Sequence, residues 1–185
     1  IAENEAIDGI DIIYEDLKDE DRDNFSHFIK LLKKELVKIN KILCVSVYSK
    51  SEDTGWPMSQ DWDTLGRVAD EIRIMAYNEH WLRSEPGPVA SLRWVEGIAN
   101  YALKSIPKNK IWMGIPTYGY DWTEFGGMYF NNGQEARKIA RMMDAELQWD
   151  EDAGSTHYEY MRLGRKHTVW FEDPRSFSAK LSLYS

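Results

Sequence analysis

Asp8-Gly9-Ile10-Asp11-Ile12-Ile13-Tyr14-Glu15 is rich in β-branched residues and reads as an extended segment that ends on a carboxylate. Side chains of a strand alternate between its faces, so Asp11, Ile13 and Glu15 share one side while Ile10, Ile12 and Tyr14 share the other. Polar inward and apolar outward inverts the pattern of an ordinary half-buried strand. Two arrangements accommodate it. One is an exposed edge strand with a solvated acidic stripe. The other is a barrel strand, whose outer face is covered by helices and whose open end gathers functional side chains.

Downstream of this segment the chain alternates strand and helix. After an acidic stretch from Asp16 to Asp23, the residues Phe25, Phe28, Ile29, Leu32, Leu36 and Ile39 recur at helical spacing. Ile42 to Tyr48 is a near-continuous β-branched run, the pattern of a strand covered on both sides. Residues 49 to 60 read as a loop, Asp61 to Ala69 as a short helix and Glu71 to Tyr77 as a strand. A polar loop to Pro88 follows, then a helix capped by Ser91 that runs to about Ser105, then a strand from Lys110 to Ile115. This alternation predicts a parallel sheet and an α/β fold. From Tyr120 the rhythm changes: a short strand near Met128, a helix from Gln134 to Met143, and antiparallel strands at 147–150, 157–162 and 166–171 predict a small α+β module, after which Pro174 starts a final helix.

Composition narrows the function classes. The 185 residues are 43% hydrophobic and 13% aromatic, enough for a real core. A formal net charge of -8 argues against nucleic acid and against an anionic membrane face as partners. No apolar run is long enough to span a bilayer, which predicts no membrane insertion. Cys44, the single cysteine, sits in an apolar run and reads as a buried thiol. His27, His80, His157 and His167 show no ligand spacing, so neither a metal site nor a cofactor is expected.

The octapeptide resembles the D-x-x-D-x-D-x-E signature on the fourth strand of the family 18 glycoside hydrolases, matching at Asp8, Asp11 and Glu15, with Ile13 where the family has an aspartate. Ile74-Met75-Ala76-Tyr77-Asn78 is similar to the sixth-strand M-x-Y-D motif, with Asn78 in place of the aspartate, and Lys110 to Gly119 is similar to the seventh strand. Glu85 to Ser91 and Val169 to Asp173 resemble the bacterial branch of spore-cortex and cell-wall N-acetylglucosaminidases. The resemblance implies part of a (β/α)8 TIM barrel, about strands 4 to 7, over residues 1–119, an α+β insertion over 120–172 and a return to a barrel helix over 173–185. A closed barrel typically needs about 250 residues, so the remainder of the barrel is expected from chain beyond this sequence.

The resemblance also implies a chemistry. Asp11 and Glu15 lie about 13 Å apart at about 3.3 Å per residue, too far for the acid and nucleophile of ordinary retaining glycosidases, set about 5 to 5.5 Å apart. In family 18 the substrate's own N-acetyl group attacks the anomeric carbon instead, and Glu15 would be the acid that protonates the leaving oxygen. Asp11 and Tyr77 would complete the catalytic set, Tyr77 donating to the acetamido oxygen. Asp8, Asn78, Tyr118 and Asp121 would contact the sugar, and Trp56, Trp81 and Trp122, which follow strand ends, would stack on it. Trp94 and Trp112, inside a helix and a strand, read as core.

The implied substrate is a β-1,4-linked N-acetylglucosamine polymer, chitin or peptidoglycan, met by a secreted, cell-wall or spore-envelope protein. Ile13 cannot orient the acetamido group or stabilise its developing charge. The alternatives are therefore a hydrolase with weakened turnover and a binding protein with a degenerate site.

Overall fold

β1 (Gly9–Ile13) is joined along its length to β2 (Ile42–Tyr48), with Asp11 opposite Cys44 and Ile13 opposite Ser46. The structure is a computed structural model that describes residues 6–54 and 57–185. Among them, β1, β2, β3 (Glu71–Met75) and β4 (Ile111–Met113) form a sheet in sequence order, with every pair parallel. The alternation read from the sequence is therefore present as a run of βα units. Gly9 is required by the approach of the first two strands, because a Cβ there would lie 2.3 Å from the Ile42 carbonyl oxygen.

The two faces of this sheet differ in chemistry. Leu43, Val45, Val47, Ile72 and Ile74 are buried. They lie on the face covered by α1 (Arg22–Lys38) and α2 (Trp62–Val68), helices that contact each other and the sheet. Each such side chain contributes about 1.5–3 kcal/mol when fully buried. Tyr14 belongs to the same side, its ring 5.8 Å from Phe25 and 5.9 Å from Phe28 of α1. The opposite face carries Asp11, Cys44, Ser46, Glu71 and Arg73, the inverted polarity that the octapeptide announces. Trp112 pairs with Arg73 on that face and is 57% exposed in this stretch of chain.

The chain divides into two compact units, Ile1–Met75 with Gly97–Gly114, and Ala76–Glu96 with Ile115–Ser185. The second unit is built on an antiparallel sheet of order β6-β5-β9-β8-β7, formed by β5 (Gly119–Thr123), β6 (Gly126–Phe130), β7 (Gln148–Asp150), β8 (Ser155–Arg162) and β9 (Arg165–Phe171). One face packs Phe130, Tyr158, Val169 and Phe171 against Ala136 and Ala140 of α4 (Gly133–Met142). The helix α3 (Leu92–Ser105) starts where the sequence places its cap, with the Trp94 amide donating to Ser91 Oγ at 3.3 Å. Trp94 is half-buried. The preceding loop is stapled rather than loose, since the Glu79 carboxylate accepts from the Ser91 amide and hydroxyl at 2.6 and 3.0 Å.

The final helix α5 (Pro174–Tyr184) is tied to this unit by a buried ion pair. Lys180 Nζ lies 2.8 Å from Glu172 Oε2, both side chains are fully enclosed, and Ser155 Oγ donates to Glu172 Oε1 at 3.3 Å. Burial pushes the Glu172 carboxyl above its ordinary range, and the interactions with Lys180, Ser176 and Ser155 oppose that push. Lys180→Ala strands an uncompensated acid and is expected to lower stability by about 3–5 kcal/mol in urea titrations. Replacing both partners together, Lys180→Met with Glu172→Leu, is expected to cost far less, because no lone charge is left behind.

Candidate active site

In the first unit the candidate residues are spread along β1, with Glu15 just beyond its C-terminal end. Glu15 follows the strand by two residues and is exposed, beside an open depression of about 450 Å³ lined by Ile13 to Leu17. Tyr48, the last residue of β2, is its electrostatic neighbour: burial, together with the charges of Glu15 and Asp16, pushes the Tyr48 hydroxyl above its usual value. Asp11 lies deeper along the strand. It accepts from Ser46 Oγ at 3.1 and 3.0 Å and from Arg73 Nη1 at 3.1 Å. Arg73 also reaches Glu71, its Nη2 lying 2.9 Å from Oε2, and the Cys44 thiol donates to that oxygen at 3.2 Å. Ile13 falls in the row of Ser46 and Arg73 and is 51% exposed. Asp8 is exposed at the opposite, N-terminal end of β1, where its backbone carbonyl accepts from the Ile42 amide at 3.1 Å. Its side chain is about 23 Å along the strand from Glu15 at about 3.3 Å per residue, so the structure does not bring these two carboxylates together.

In the second unit a cluster of phenol rings surrounds Asn78. Tyr118 and Tyr120 donate their hydroxyls to Asn78 Oδ1 at 2.6 and 2.9 Å. Asn78 adopts φ 66°, a left-handed conformation that asparagine tolerates better than most residues. The Tyr118 ring meets Tyr77 edge-on at 6.2 Å and lies 5.3 Å from Tyr129. Burial, with the neighbouring phenols, drives the Tyr118 hydroxyl well above its ordinary range, so it acts as a neutral donor.

Two residues expected at the sugar are placed elsewhere. Asp121 is buried on the α4 side of the sheet, where it accepts from Tyr160 Oη at 2.6 Å and pairs with His167 Nδ1 at 2.8 Å. Trp122 is 2% exposed among Val89 and Tyr120, which leaves no open ring face for stacking. Its Nε1 donates to the Trp81 carbonyl at 3.1 Å, so it braces Trp81, which is 46% exposed. Trp56 lies outside the described residues. Among the described residues no group of three or more His, Cys, Asp or Glu side chains is arranged to hold a metal.

The sequence model of the glycosyl hydrolases family 18 matches residues 1–184. This chain belongs to that family. It is 32% identical to the uncharacterized glycosylase YvbX of Bacillus subtilis over 99% of this chain and 55% of the relative. It is likewise 32% identical to the cortical fragment-lytic enzyme of Bacillus subtilis, over 92% of this chain and 42% of the relative. The family 18 chain thus spans about half the length of these curated relatives. Among solved structures, the putative sporulation-specific glycosylase ydhD of Bacillus subtilis superposes with a TM-score of 0.92 at 32% identity, covering 96% of this chain and 61% of that one. A chitinase from Chromobacterium violaceum gives 0.87 at 36% identity, covering 91% and 55%. These neighbours identify the βα units as part of a TIM-barrel-like fold.

Beside the candidate residues lie groups that carry no motif of their own in the sequence: Ser46, Tyr48 and Arg73 near Asp11 and Glu15 in the first unit, and Tyr120 and Tyr129 near Asn78 and Tyr118 in the second. The alternation of Tyr118, Tyr120 and Trp122 is a signal that could have found the last cluster, once a strand is recognised there.

Cys44 offers a direct test of the polar network around Asp11. Burial, reinforced by the hydrogen bond to Glu71, pushes its thiol up to about 12. At pH 8 it is therefore a protonated thiol in the native protein, and labelling by a disulfide reagent is expected to run about three orders of magnitude slower than in denaturant.

Proposed function

We propose that this chain carries the catalytic acid of a glycosidase that cleaves β-1,4-linked N-acetylglucosamine polymers, chitin or peptidoglycan, by substrate-assisted retaining catalysis. The observation that carries this reading is the placement of Glu15 at the open C-terminal end of a parallel sheet, the end where barrel enzymes collect their chemistry. Glu15 donates its proton to the glycosidic oxygen as the substrate's acetamido oxygen attacks the anomeric carbon, and the resulting carboxylate then draws a proton from the water that opens the intermediate. Asp11, 3.1 Å from Arg73 Nη1, places a second carboxyl group along the same face. Tyr77, Asn78 and Tyr118 supply neutral hydrogen-bonding groups for the acetamido sugar, and Trp81 supplies a ring face. The cortical fragment-lytic relatives favour peptidoglycan, and the Chromobacterium violaceum chitinase favours chitin. A protein that is secreted, or held in the cell wall or spore envelope, would meet either.

A second reading, a glycan-binding protein with little turnover, is favoured by one specific observation. No carboxylate stands between Asp11 and Glu15 on their shared face, because that position is Ile13. Loss of a preorganised partner for developing charge costs about 100- to 1000-fold in rate.

Release of sugar from chito-oligosaccharides or peptidoglycan by the intact protein is expected to fall by about 100-fold or more in Glu15→Gln. Unchanged release would remove Glu15 from the chemistry. Ile13→Asp is expected to raise release by about 100- to 1000-fold. Calorimetric binding by the parent protein with no release would favour the binding protein instead.

A further inference from the structure

We propose that Gln60 is a positioning residue for Glu15, acting through the peptide group that joins Tyr14 to Glu15; the proposal rests on Glu15 being the acid of the reaction above. The ladder between β1 and β2 ends at the pair Ile13 and Ser46. Beyond it, the side-chain amide of Gln60 bridges the two chains. Oε1 accepts from the Tyr48 amide at 2.7 Å, and Nε2 donates to the Tyr14 carbonyl at 3.3 Å. A primary amide carries one acceptor and one donor end, as a peptide group does, so it can stand in for the missing rung. The Tyr14 carbonyl belongs to the peptide whose nitrogen is that of Glu15. Holding it restricts the backbone that aims the acid.

Gln60 is itself immobilised. It is 1% exposed, its own carbonyl accepts from the buried Lys50 Nζ at 2.8 Å, and its amide donates to the Pro57 carbonyl at 3.3 Å. Lys50 is held in turn by Asp53 at 2.7 Å and lies over the Trp62 ring at 5.5 Å. The next residue, Asp61, caps α2 by accepting from the Thr64 amide at 3.2 Å. A buried amide is costly unless both its ends are satisfied. Here both ends go to the termini of β1 and β2 flanking Glu15, and neither goes to the helix that Gln60 precedes. A glutamine serving only its own loop would spend those bonds locally.

The test uses Gln60→Leu and Gln60→Glu in the intact protein. In Gln60→Leu both bonds vanish, and kcat on chito-oligosaccharides is expected to fall by about 10- to 100-fold with KM little changed, the signature of a misplaced catalytic group. In Gln60→Glu the protonated carboxyl still accepts and donates, so turnover stays near the parent value in acid and declines as that carboxyl ionises. Loss of packing alone would not produce such a pH dependence. By nuclear magnetic resonance, the Tyr48 amide in Gln60→Leu is expected to exchange about tenfold faster, and the Glu15 carboxyl resonance to shift. Parent-like kcat in Gln60→Leu, or a parent-like pH profile in Gln60→Glu, would overturn the proposal, as would unchanged exchange with an unshifted Glu15 resonance. If the parent protein releases no sugar, the hydrolase reading falls on its own, and the exchange and resonance measurements still decide whether Gln60 holds the Glu15 peptide.

Discussion

The parallel pairing of β1 with β2 is the constraint on which the unit that carries Glu15 depends. It admits only glycine at position 9, where the neighbouring backbone comes too close for any side chain. It also sorts every residue after that by parity. Ile10 and Ile12 fall on the helix side with the buried Leu43, Val45 and Ile72, while Asp11 and Ile13 fall with Ser46 and Arg73. Hydrophobic burial beneath α1 and α2 stabilises one face and leaves the other free to carry charge. The polar side is organised rather than merely wet: Asp11, Ser46, Arg73, Glu71 and Cys44 form one connected set of hydrogen bonds.

Much of this was legible in the residues themselves. The orientation of β1, the helix α1, the alternation of elements, the cap at Ser91 and the change to an antiparallel module all follow from periodicity and turn chemistry, which are local. The failures share a different cause. Asp121 and Trp122 follow a strand end in the sequence pattern and carry no sign of a further strand; with Gly119–Thr123 extended, neighbours face opposite ways, and each meets its own interior. Gln60 had no local signature, since the sequence around it reads as the approach to a helix cap, and its partners are 12 and 46 residues away. Long-range amide bridges of this kind leave no periodic trace.

The two departures from the resembled motifs act in the same electrostatic direction. Isoleucine at position 13 and asparagine at position 78 each remove a carboxylate, one from the face of Glu15 and one from the phenol cluster around Tyr118. Arg73 adds a positive charge beside the carboxylate that remains, Asp11. What is left is, in the second unit, a set of neutral donors and aromatic faces, and in the first, Glu15 exposed beyond the end of β1. That inventory suits an uncharged, acetylated sugar.

Asn78 has one more property that an aspartate would lack. With its carbonyl oxygen committed to two phenolic hydroxyls, the orientation of the amide is determined, and its NH2 group faces the other way as a permanent donor. A carboxylate in that place would change from acceptor to donor across the acidic range, and its grip on a ligand would change with it. An amide has no such transition. The Asn78 amide therefore presents the same hydrogen-bonding pattern in acid and at neutrality, so any pH dependence of ligand capture must originate at other groups.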